Sequence, residues 1–114
     1  CFSTHLLGHW VREVGALTLE EAVRSLTSRP ADVMGLVGRG RLAPGAFADI
    51  VVFDPNRVGA GRLRRVADQP AGAERLVADA FGIELVVVNG VPIRRQDESL
   101  LSADGPLPGT LLRS

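Results

Sequence analysis

Apolar residues at Leu6, Leu7, Trp10, Val11 and Val14 recur at steps of three and four, which predicts a helix from about Ser3 to Val14 with one apolar face. Gly15 ends it. Thr18-Leu19-Glu20-Glu21 has the spacing of a capping box, so a second helix is expected to start there and to turn Leu19, Ala22, Val23 and Leu26 inward. Pro30-Ala31-Asp32-Val33-Met34 reads as a third, one-turn helix, because proline suits a first helical turn, and Gly35 stops it.

From Leu36 the period changes from helical to extended, and glycine and proline punctuate the chain every few residues. Residues 42–53 predict a pair of strands around a Pro44-Gly45 turn, closed by Asp54-Pro55. The segment from Ile50 is apolar on both faces, a pattern that tolerates water on neither. Ile83 to Arg94 holds two β-branched runs joined by Asn89-Gly90, a strong hairpin signal. Between them, residues 56–82 form a connection too long to lack structure of its own, and the composition of Ala73 to Phe81 predicts one short helix. After Arg95 a polar stretch leads to a terminal strap containing Pro108-Gly109. The class is α+β, with helices in residues 1–36 and strands in residues 37–114.

Composition narrows the partners. With 114 residues and 46% hydrophobic content the chain can fold, and its 13 basic and 13 acidic residues cancel. No global field therefore draws it to nucleic acid or an anionic membrane. Every basic residue other than histidine is arginine, which reads as compositional bias and not as a binding signature. A single cysteine, Cys1, excludes an internal disulfide, and no apolar run nears the roughly 20 residues of a membrane span. A cytoplasmic protein is the expectation. The start on Cys1, directly within a helical pattern, suggests a piece of a longer chain.

Few residues offer chemistry. His5, His9 and Glu13 form a row at steps of four and could share a metal, with Cys1 as an added donor, but a metalloprotease helix would carry Glu between its histidines and residues 6–8 are Leu, Leu and Gly. A solvated helix face is the better reading. Asp49 and Asp54 sit at turn-to-strand junctions, where a carboxylate accepts backbone amides and fixes the turn, and neither has a titratable partner at acid–base spacing. Gly38-Arg39-Gly40-Arg41 lacks the glycine spacing and the following helix of a phosphate loop. Arg62, Arg64 and Arg65 read as a solvated basic cluster. The expectation is no catalytic, cofactor-binding or metal-ligating residue in this chain.

The order of segments resembles the C-terminal end of metal-dependent amidohydrolases, most closely the N-acyl-D-amino-acid deacylase (D-aminoacylase) family. The carrying residues are Trp10-Val11-Arg12-Glu13, Leu17 to Val23, Leu26 to Ala31 and Gly35-Leu36, followed by Arg39 to Gly45, Ala48 to Asp54, Val87 to Pro92 and Pro108-Gly109. The resemblance implies that residues 1–36 are the last helices around a (β/α)₈ barrel and that residues 37–114 belong to a small β-sandwich, with a long loop at about 56–82. It also implies zinc in the parent barrel, where metal-activated water attacks an amide carbonyl and an aspartate shuttles the proton. The histidine, cysteine or lysine, and aspartate motifs of that chemistry lie upstream of any residue here, and His5 and His9 do not correspond to them.

The expected function is thus a scaffold segment of a hydrolase acting on a non-peptide amide bond, inactive alone. The alternative is a stand-alone, non-catalytic binding or interaction module derived from such an enzyme. The expected partner is the remainder of the parent, its barrel and N-terminal sandwich strands, with self-association through exposed strand edges as a further outcome.

Overall fold

The computed structural model describes residues 2–102 and 104–112, so Cys1 and its proposed ligand role lie outside the described residues. Helix α1 (Phe2–His5) runs directly into a π-helix (Leu6–Glu13), where a single α-helix is predicted from Ser3 to Val14. The face it buries is correspondingly narrower. Leu7 and Gly8 turn inward, while Trp10 and Val14 stay 45% and 51% exposed. A Cβ on Gly8 would lie 2.7 Å from the Val58 carbonyl oxygen, so only a glycine lets this helix rest on the backbone at residues 58–59.

Helix α2 (Leu19–Leu26) starts at the predicted capping box: the Thr18 hydroxyl accepts from the Glu21 amide at 3.2 Å, and the Glu21 carboxylate accepts from the Thr18 amide at 3.0 Å. Helix α3 (Ser28–Val33) begins two residues before Pro30, which falls within its first turn, and it ends before Gly35. Eight strands follow: β1 (Ile50–Phe53), β2 (Gly59–Ala60), β3 (Arg64–Val66), β4 (Arg75–Val77), β5 (Ala80–Phe81), β6 (Ile83–Val88), β7 (Val91–Arg95) and β8 (Glu98–Ser99). All pairings are antiparallel, and the main sheet has the order β1-β6-β7-β8. The α+β class holds.

The Asn89-Gly90 hairpin forms as predicted, with Val88 opposite Val91 and both turn residues at positive φ (48° and 81°), the backbone of a two-residue turn that twists with its strands. The strand pair around Pro44-Gly45 does not. Only its second limb, β1, is a strand; Leu42 is 82% exposed. Among the described residues the Ala46 amide bonds the Ala43 carbonyl at 3.1 Å across the turn and the Phe47 amide reaches past the first limb to the Gly38 carbonyl at 2.9 Å, while Arg41 is drawn onto α3 by a two-pronged bond to Asp32 at 2.8 Å for each prong.

The short helix predicted for Ala73 to Phe81 is also absent. That stretch supplies β4 and β5, which pair with β3 and β2, so residues 59–81 form a two-stranded ribbon capped by a 3₁₀ turn (Pro70–Gly72). Diagonal ion pairs hold its register: Arg64 with Asp79 at 3.1 Å, Arg65 with Glu74 at 3.2 Å and Arg75 with Asp68 at 2.7 Å. Local helix propensity is overridden by these cross-strand contacts. The radius of gyration, 16.0 Å, exceeds the about 13 Å of a compact chain this long, in keeping with a shape this extended.

The core is small. Leu7, Ala22 and Val58 form its buried centre, and Leu6, Val11, Leu19, Val23, Leu26, Phe53 and Ile83 pack around them where the helices meet the start of β1 and β6. Arg12 ties the π-helix to the same turn by donating to the carbonyls of Val58 (2.5 Å) and Pro55 (3.2 Å). Elsewhere the sheet is open. Val51 and Val52 point to opposite faces of β1 and are 52% and 46% exposed.

Candidate functional site

The histidine row runs across the junction of the two first helices, with His5 ending α1 and His9 and Glu13 in the π-helix. The His5 and His9 rings stack with centroids 5.0 Å apart and planes 17° from parallel, and Glu13 Oε2 lies 2.8 Å from His9 Nδ1. That hydrogen bond is the largest cause lowering the Glu13 pKa, so the carboxylate stays ionised through the neutral range. Trp10 meets His9 edge-on at 5.3 Å. Among the described residues, no three His, Cys, Asp or Glu side chains are grouped to hold a metal ion.

A second polar cluster was legible only in part. Asp49 sits at the entry to β1, and its carboxylate accepts from the Asn89 amide at 2.8 Å and from Arg39. The bond from the Asn89 amide is the main cause holding the Asp49 carboxyl below its ordinary range, with Arg39 adding to it against the cost of burial. Arg39 also donates to Asn89 Oδ1 at 3.0 Å and lies 4.2 Å above the Phe47 ring. Asn89 Nδ2 reaches the Pro108 carbonyl at 2.6 Å and Thr110 Oγ1 at 3.2 Å. Three separate segments therefore converge on one hairpin turn. Asp49 accepts a backbone amide as expected of it, but that amide belongs to the Asn89-Gly90 turn 40 residues away and not to its own junction, and Arg39 and the Asn89 side chain likewise lacked a local signal, since their partners are 10 to 50 residues away.

The other candidates stay apart. Asp54 accepts from the Asn56 amide at 2.8 Å and shapes the turn into β2. Arg64 and Arg65 are engaged within the ribbon and not gathered into a basic face. Gly38 to Arg41 precedes neither a helix nor an amide nest, and its two arginines point to Asp49 and Asp32. Two open depressions flank the sheet. One, of about 480 Å³, runs between Leu7, Val23 and Leu26 on the helices and Ile50, Val51 and Phe53 on β1; the other, of about 880 Å³, lies between Phe81 at the ribbon base and Glu84, Val86 and Arg94 on the sheet. The polar contacts described here brace turns and strands.

The sequence pattern of the amidohydrolase family matches residues 3–94. The N-acyl-D-glutamate deacylase of Alcaligenes xylosoxydans xylosoxydans is 43% identical over 110 residues, covering 96% of this chain and 20% of the relative, and the D-aminoacylase of the same organism is 44% identical over 88 residues, covering 77% and 16%. The crystal structure of N-acyl-D-glutamate deacylase from Bordetella bronchiseptica, complexed with zinc and a phosphonate inhibitor that mimics the tetrahedral intermediate, superposes with a TM-score of 0.70 at 42% identity. That superposition covers 97% of this chain and 20% of the enzyme. The chain thus spans about a fifth of the length of the relatives it matches. With helices α2 and α3, the first strand and the Asn89-Gly90 turn all inside the matched residues, the chain belongs to the amidohydrolase family.

Proposed function

We propose that this chain is the C-terminal scaffold segment of a larger hydrolase that deacylates N-acyl-D-amino acids, with an acidic D-amino acid such as D-glutamate as the favoured product. The observation that carries the reading is the 43% identity to an N-acyl-D-glutamate deacylase across 96% of this chain but only 20% of the relative. In the parent, residues 1–36 would be the closing helices of a barrel and residues 37–114 part of a β-sandwich beside it.

The exposed apolar strands support the partner assigned to them. A strand such as Leu85 to Val88, apolar at every position, is normally covered on both faces, yet each of its residues here is only half-buried. Strands and helices from the remainder of the parent would cover those faces and pair with the free edge of β1. The donor set of this chain does not fit the zinc of the Bordetella enzyme, because the His9 Nδ1 is engaged by Glu13 and no third ligand is grouped with the two histidines among the described residues. Zinc and the hydrolytic step are therefore assigned to the rest of the parent, and the part left to this chain is to brace the barrel and complete the sandwich.

The test measures bound zinc and hydrolysis of N-acetyl-D-glutamate for this chain and for the longest open reading frame that contains it. Both are expected in the longer product and neither in the chain alone. Hydrolysis by the chain alone would overturn the scaffold reading; an inactive longer product would favour the stand-alone interaction module.

A further inference from the structure

We infer that Asn89 is a deamidation site, restrained while the terminal strap at Pro108 to Thr110 is docked on it, and that its product releases the strap irreversibly. This inference is independent of the proposed deacylase. In Asn89-Gly90 no side chain on the second residue shields its nitrogen from the amide of the first. Once the Gly90 nitrogen has lost its proton to hydroxide, its electron pair attacks Cγ of Asn89. The bond from Cγ to Nδ2 then breaks, and ammonia leaves with a proton returned by water. A five-membered succinimide remains, which water opens to aspartate or isoaspartate. The sum consumes one water, releases one ammonia and changes no oxidation state.

The fold holds every group this reaction must move. The Gly90 amide donates to the Ala48 carbonyl at 2.9 Å and the Asn89 amide to Asp49 at 2.8 Å, so the nucleophile's proton is engaged and the peptide that carries it is pinned. The side-chain amide is held at both ends. Arg39 can only donate, so the atom it meets at 3.0 Å is the oxygen, Oδ1, and Nδ2 faces the strap. There Nδ2 donates to the Pro108 carbonyl at 2.6 Å and to Thr110 Oγ1 at 3.2 Å. Cγ cannot swing toward the Gly90 nitrogen until those bonds break, so conversion proceeds through a local opening of the strap. The product then bars reclosure. An aspartate at this position turns an oxygen toward the Pro108 carbonyl, and both atoms only accept. It also sets a second carboxylate beside Asp49 on one guanidinium. Either product lacks the donor on which the strap rests.

The test incubates the full chain at mildly alkaline pH, folded and in urea, and follows Asn89 by peptide mass spectrometry. The folded chain should convert roughly tenfold more slowly than the unfolded one, the restraint expected of two side-chain hydrogen bonds. Pro108→Gly combined with Thr110→Ala loosens the strap and leaves the residues of the hairpin unchanged, and should raise the folded rate about fivefold. The released state is read by NMR relaxation in Asn89→Asp and, independently of that variant's folding, in the deamidated fraction of the aged chain separated by ion exchange. Both should show fast backbone motion at residues 109–112 while β6 and β7 stay paired. Equal rates in the folded and unfolded chain, an unchanged rate in the strap variant, or a deamidated fraction whose strap is as ordered as before would overturn the inference.

Discussion

Two residues show how much of this fold depends on contacts that residue type alone does not announce. Gly8 is the closer of the two: its Cβ would stand 2.7 Å from the Val58 carbonyl oxygen and 2.9 Å from the Gly59 Cα, both backbone atoms that cannot swing aside. Gly8→Ala should therefore push the π-helix off the turn at residues 57–59 and lower stability by roughly 1–3 kcal/mol, despite the better helix propensity of alanine. Urea unfolding would reveal it, and a variant as stable as the parent chain would show that the helix has room to spare. Asn89 is the second. Replacing it with glycine keeps the positive φ of the turn but removes the side-chain bonds to Arg39, Pro108 and Thr110, at a cost of about 2 kcal/mol. Amide exchange around residues 107–112 should speed up in Asn89→Gly while the hairpin ladder between β6 and β7 stays protected.

At the scale of elements, what the sequence disclosed followed the range of the forces involved. The α2 helix and the hairpin were legible because a capping box and an Asn-Gly turn complete their decisive hydrogen bonds within four residues. The ribbon at residues 59–81 was not legible because its decisive pairs are Arg64 with Asp79, Arg65 with Glu74 and Asp68 with Arg75, and no local pattern ranks those pairs above the helix propensity of Ala73 to Phe81. The limb before Pro44 failed as a strand for a similar reason, since Arg41 found Asp32 on α3. The histidine row was readable as a row, but not its ring stacking or the bond from His9 to Glu13. Local caps can be tested directly: Thr18→Ala removes the hydroxyl end of the box and should cost about 1 kcal/mol in urea unfolding, with Thr18→Ser restoring most of it. The Asp49 clasp has a pH signature. Its folded pKa lies below the ordinary value, so its contribution is complete above about pH 4, the unfolded range of aspartate, and is lost as pH falls through the lower folded value. The Asn89 amide resonance should be constant from pH 7 to 5, move below about pH 4, and lose this dependence in Asp49→Asn.

For the whole molecule, the balance of buried and exposed apolar surface decides behaviour. Four hydrophobic residues are buried, whereas nineteen large ones are exposed among the described residues, including Val51 and Val52 on opposite faces of the strand at the open edge of the sheet. Soluble monomers seldom present continuous apolar faces of this kind, and an uncharged edge strand such as Ile50-Val51-Val52-Phe53 is a template for pairing with another chain. The chain alone should therefore associate reversibly as its concentration rises, by way of the edge that the proposed parent would cover. Sedimentation velocity across a wide concentration range checks this, and Val52→Lys separates the edge from general stickiness. Lysine at that position places a charge on the exposed face without touching Leu7, Ala22 or Val58, so the fold should persist while association falls severalfold. If Val52→Lys associates as strongly as the unsubstituted chain, the contact lies elsewhere, and the protruding ribbon with exposed Leu63 and Leu76 becomes the surface to charge next.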